Sequence, residues 1–163
     1  MHLHLSQKNP GGVRNGSDAA RRIGVCGFFS DLETNKATNE YYEVWSKSIH
    51  ANEAIKTLAD YYDIKYNDSP RYELLQKYVS SVESGYLSPL SGFDLYEQYY
   101  NTIQNELVGI EVGGVTITGQ TQHFLERVFG CMKDPKNGHP RNGVELDDIL
   151  NCVKNLIQSA RLR

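Results

Sequence analysis

From residue 39 onward the apolar positions fall into helical registers, and this period dominates the first two thirds of the chain. Tyr41, Val44, Trp45, Ile49, Ile55, Leu58, Ala59 and Tyr62 recur at spacings of three, four or six. That spacing predicts one buried stripe on a long helix, with a possible break near His50. A second stripe follows Pro70 through Tyr72, Leu75, Tyr78, Val79 and Val82. Pro70 suits a first helical position and Gly85 suits a stop. A third helix is predicted from about Gly92, with Phe93, Tyr96, Tyr100, Ile103 and Leu107 on one face. After Gly109 the period changes to alternation. Residues 110–118 (IEVGGVTIT) read as two short β-prone runs around Gly113-Gly114, a pair that permits the positive φ of a tight hairpin turn.

A helix from about Thr121 to Met132 is expected next, burying Phe124, Val128 and Phe129 or Met132. A Pro/Gly/Asn-rich loop over residues 134–143 leads to a final helix with Val144, Leu146, Ile149, Leu150, Val153, Leu156 and Ile157 on its core face. Glu145, Asp147 and Asp148 sit favourably at the positive end of that helix dipole. The expected fold class is therefore α+β and predominantly helical, and the chain divides into three parts. Residues 1–20, polar with breakers at Pro10-Gly11-Gly12 and Asn15-Gly16-Ser17, read as a flexible leader. Residues 21–109 form a helical block that holds all eleven tyrosines, between Tyr41 and Tyr100. It opens with an apolar patch at residues 23–29, read as a strand or a plug. Residues 110–163 form the hairpin-and-helix segment.

Composition narrows the class. A chain of 163 residues is long enough to bury a core without disulfides or metals. No apolar run nears the roughly 18 residues that span a bilayer, and the first ten residues lack a signal-peptide pattern. A cytoplasmic or virion-associated protein with no membrane partner is the expectation. Cys26, Cys131 and Cys152 are scattered without a C-x-x-C pair, which suits buried free thiols in a reducing compartment. Residues 1–118 carry 10 Lys+Arg against 15 Asp+Glu, whereas residues 119–163 carry 7 against 5. The C-terminal part can thus tolerate a phosphate backbone, although its charge alone does not require one.

Candidate chemistry concentrates in Thr121-Gln122-His123-Phe124-Leu125-Glu126-Arg127. His123 and Arg127, four apart on a helix, stand one turn from each other, and Glu126 reaches the imidazole from three residues on. An imidazole that moves a proton beside a guanidinium that steadies negative charge is a sensible set for a phosphodiester. The bland alternative is a helix-surface contact. His139 and Arg141 follow in the polar loop, either exposed or lining an RNA-facing surface beside His123. The tyrosines could stack on bases, but their helical spacing favours a core rim with wet hydroxyls. An H-x-H at His2 and His4 reads as incidental, so neither a metal nor a cofactor is expected.

Taken together, Thr121-x-His123-x-x-x-Arg127 and Arg141-x-Gly143-Val144-x-x-Asp147-Asp148-Ile149-x-x-Cys152-Val153 resemble a family pattern. It is that of the polymorphic-toxin and phage-encoded nucleases of the barnase/EndoU/colicin E5/D–RelE superfamily, over roughly residues 110–160. The resemblance implies two helices packed on a four-stranded antiparallel sheet. It also implies metal-independent cleavage of tRNA or mRNA by attack of a ribose 2′-hydroxyl, and partners such as an immunity protein or phage head proteins. His123 and Arg127 match the motif's polar positions, with Arg141 as a third and His139 beside it. The family's sheet follows the second helix, where this sequence ends. The expectation is an incomplete enzyme whose last two helices pack antiparallel through Phe124, Val128, Ile149, Val153 and Leu156, exposing an apolar face. The alternative is a phage head or morphogenesis protein that acts by packing against partners.

Overall fold

The computed structural model describes residues 31–47, 50–66 and 69–163. The expected leader, the patch at residues 23–29 and Cys26 lie outside the described residues. Those described form a predominantly helical α+β fold with two small antiparallel two-stranded sheets.

The first predicted helix is two. Helix α1 (Asp31–Glu40) continues into a π-helical turn at Tyr41–Trp45, and α2 spans Ala51–Tyr61. His50 caps α2 in extended conformation, so the chain breaks where the stripe faltered. Helix α3 (Pro70–Glu83) starts as its sequence requires: Ser69 Oγ accepts the Tyr72 amide at 3.1 Å and Pro70 occupies the first turn. A 3₁₀ turn at Pro89–Ser91 leads into α4 (Phe93–Glu106). Strands β1 (Glu111–Val112) and β2 (Val115–Thr116) form the predicted hairpin, with Val112 opposite Val115. Gly113 and Gly114 both take positive φ, 58° and 82°, a turn closed to most L-residues.

Helix α5 spans Gln122–Phe129 and stops earlier than its apolar period suggests. Gly130 at φ 75° turns the chain into β3 (Gly130–Cys131), which pairs with β4 (Arg141–Asn142). This ladder needs two glycines face to face. A side chain at Gly130 would collide with the Arg141 carbonyl, and one at Gly143 with the Val128 carbonyl. Met132 accordingly leaves the helix and is exposed, and Leu125 joins Val128 and Phe129 inside. Helix α6 (Leu146–Arg161) closes the chain.

One core runs through α2, α3, α4 and α5. Phe129 packs on Tyr96 and Tyr99 with ring centroids 5.9 and 4.9 Å apart, so the C-terminal segment shares its core with the tyrosine-rich helices. The tyrosines are not merely a rim. Tyr72, Tyr78 and Tyr96 are buried, and a carboxylate inside the core takes the hydroxyl of Tyr78. That carboxylate belongs to Glu40. It is fully buried and accepts from Tyr62 Oη (2.5 Å), Phe93 N (2.8 Å), Tyr78 Oη (3.0 Å) and Trp45 Nε1 (3.3 Å).

The expected packing of α5 on α6 is reshaped. Phe124, Ile149 and Val153 do converge, but on a half-open cleft of about 380 Å³ whose other wall is Ile103 of α4 and Leu107 at its C-terminal end. Val128 is buried elsewhere, beneath the Gly143 crossing, and Leu156 is 51% exposed. No residue of α6 is fully buried. The helical block therefore covers only part of the apolar face of α6. No helix among the described residues is long and apolar enough to cross a membrane.

Candidate functional site

Thr121 sets the geometry of α5. Its Oγ1 accepts the Phe124 amide at 3.1 Å, fixing the first turn so that Gln122 and Glu126 share one face and His123 and Arg127 the next. Glu126 points inward, its side chain 7% exposed, whereas the His123 imidazole is 61% exposed. His123 Nδ1 lies 3.0 Å from Glu126 Oε2. On the other edge of the ring, Arg127 Nε donates to Nε2 over 3.3 Å. A guanidinium N–H can meet only a lone pair, so the two contacts agree for a neutral imidazole carrying its proton on Nδ1. The carboxylate thereby orients the ring and leaves the basic nitrogen outward, facing Arg127.

The carboxylate is held in turn from another helix. Ser81 of α3 donates its hydroxyl to Glu126 Oε1 at 2.7 Å. The Gln122 amide reaches Ser81 Oγ (2.8 Å), the Lys77 carbonyl (3.2 Å) and, more weakly, Glu126 Oε1 (3.5 Å). Tyr86, in the loop after α3, meets the imidazole edge to face at 6.3 Å.

Arg141 does not stand beside the imidazole as a free cation. Its side chain is 14% exposed, with Nη1 on Asp134 Oδ2 and Nη2 donating to the Glu126 carbonyl at 2.8 Å. It joins β4 to the end of α5. Asp134, buried, also accepts the Lys136 amide at 2.8 Å. That backbone hydrogen bond first, then Arg141, holds its carboxyl below the usual carboxylate value. Arg127 Nη1 stands 3.9 Å from the same Asp134 oxygen, too far for a firm bond, and the side chain remains 47% exposed. His139 is exposed. Its backbone anchors the loop, with N donating to the Asn137 side-chain oxygen (2.9 Å) and O accepting from the Asp134 amide (2.8 Å).

The structure thus assembles His123, Glu126 and Arg127, turns Arg141 inward and leaves His139 on the loop surface. Ser81, Gln122 and Asp134 were not legible as site residues. The one available signal for Ser81 was a polar residue lodged in an apolar helix face between Tyr78 and Val82. Cys131 is a buried thiol pushed up by that burial, which suits an inert core group, but Cys152 is exposed on α6 against the expectation. Among the described residues no three His, Cys, Asp or Glu side chains cluster as a metal site would require. The chain matches no protein-family model, no curated protein and no solved structure.

Proposed function

We propose that α5 carries a phosphodiester-directed acid–base site of the kind used by metal-independent RNA-cleaving toxins, in a phage or mobile-element protein that binds RNA with little turnover. The observation that carries this reading is the Glu126–His123 dyad with Arg127 across Nε2. A buried carboxylate on Nδ1 fixes the tautomer and leaves the lone pair on the opposite nitrogen, the atom that would take the proton of a 2′-hydroxyl. Arg127 supplies a forked donor set for the phosphate oxygens. Attack of the hydroxyl also needs a second group to protonate the leaving oxygen. Among the described residues Arg127 alone is hydrogen-bonded to Nε2, and a guanidinium does not give up its proton. Acid–base assistance is worth about 10²–10⁴-fold per group, so half a pair gives slow chemistry at best.

The test is binding and cleavage of tRNA by the purified chain without metal. Weak, salt-sensitive binding that falls on Arg127→Ala is expected, with no measurable cleavage. Robust cleavage abolished by His123→Ala would show a complete enzyme. Binding that ignores Arg127 would favour the rival, a phage head or morphogenesis protein acting through its surface. That rival draws on α6, where Leu156 is 51% exposed and no residue is buried, and on Leu162 just after it, 89% exposed.

A further inference from the structure

Arg127 occupies the one nitrogen of His123 that a substrate would need, so the site as it stands is shut by its own cation. The charges nearby show when it would open. Glu126 shares α5 with the imidazole and holds Nδ1, and the Tyr86 phenol ring faces it from the loop after α3. Behind Arg127 stand Asp134 and Arg141, already paired with each other. With a neutral imidazole, two carboxylates and two guanidinium groups cancel. A second proton on His123 changes both the geometry and the sum. Nε2 becomes a donor, can no longer accept from Arg127 Nε, and the cluster gains one positive charge.

We propose that His123 and Arg127 form a protonation-gated oxyanion site: Arg127 closes it against the neutral imidazole, and protonation of Nε2 releases the guanidinium so that both donors converge on a phosphate-type anion. Arg127 is suited to swing. Its bond to His123 is long, its distance to Asp134 is 3.9 Å, and half of it is in solvent. His123 cannot follow it, because Glu126 is tethered to Ser81 of α3 and keeps the ring in place. The inference rests on the reading of these residues as a phosphate-directed site. It concerns the charged ring, which binds an anion but cannot serve as the base, so it says what opens the site rather than which macromolecule enters.

Inorganic sulfate is the probe, because it keeps its double charge across the range in which imidazole titrates. Binding is followed through the ¹⁵N resonances of His123 and Arg127 in the full chain. At pH 8 His123 should show a protonated Nδ1 and a bare Nε2, with little response to sulfate. By pH 5.5 sulfate should shift His123 Nε2–H and Arg127 Nε together, its affinity having risen at least about fivefold through the one-proton linkage. Arg127→Gln, which keeps the length of the side chain, should reduce the affinity at pH 5.5 about tenfold or more, the loss of one charge-assisted donor pair. His123→Gln should make what binding is left independent of pH. Affinity that does not change between pH 8 and 5.5, or that survives Arg127→Gln, overturns the gate. The two readings fail separately. Sulfate behaving as stated while tRNA ignores Arg127 would remove the RNA reading and keep the gate. Arg127-dependent tRNA binding with no pH-linked sulfate site would do the reverse.

Discussion

Among the described residues two glutamates are buried, and they are used in opposite ways. Glu40, at the junction of α1 and the π-helical turn, meets donors from four places in the fold, two buried and two half-buried: Tyr78 and the Phe93 amide, then Trp45 and Tyr62. Glu126 spends one oxygen on Ser81 and turns the other to an imidazole that is mostly in solvent. The first arrangement closes every lone pair inside the core and ties α1 to α2, α3 and α4. The second carries the influence of a buried charge out to the surface. Burial of a carboxylate therefore says little about function until the direction of its partners is known.

Deleting Glu40 should produce the largest effect. Glu40→Ala leaves two buried donors, Tyr78 Oη and the Phe93 amide, and two half-buried ones, Trp45 Nε1 and Tyr62 Oη, without their acceptor, at about 1–3 kcal/mol for each group that finds no water. A loss of about 3 kcal/mol or more in urea unfolding is expected, and a loss under about 1 kcal/mol would show that the network is ornamental. Ser81→Ala should come next, at about 2 kcal/mol for a hydrogen bond to a buried carboxylate. It should also broaden or shift the His123 ring resonances, which a purely structural serine would not do.

A smaller change is expected with pH. Desolvation raises the Glu40 carboxyl above its ordinary value despite the hydrogen bonds that pull it down. Between the ordinary and the raised value the folded state holds a proton that the unfolded chain has released. Its stabilising contribution is complete below the ordinary carboxyl value and is lost as pH rises through the raised folded value. Melting temperature should decline over that window, and Glu40→Gln should flatten the decline. The smallest effects belong to the exposed partners. His123→Gln and Arg127→Gln should leave stability within about 0.5 kcal/mol of the parent, while altering anion binding as described above. If either unfolds the protein, the contrast between an inward lock and an outward site is wrong.

Much of the fold was legible along the chain because it is built from local rules. The apolar period located α3 and α4, Pro70 marked a start, and Gly113-Gly114 permitted a turn that the hairpin then made. The spacing of His123, Glu126 and Arg127 likewise placed them within one turn of each other, since a helix repeats every 3.6 residues whatever surrounds it. What tertiary structure decided was where polar groups went and where α5 stopped. Nothing local separates Glu40 from Glu43, and only the approach of other elements buries the first. Ser81 shares an apolar helix face with Tyr78 and Val82, but no local rule supplies the Glu126 carboxylate it meets. Gly130 ends α5 because Arg141 and Asn142 pair across it, and the same crossing turns Arg141 inward onto Asp134. Such contacts join residues that are distant in sequence. The chain meets their entropic cost only as the whole core forms, and no periodicity within a single segment encodes them.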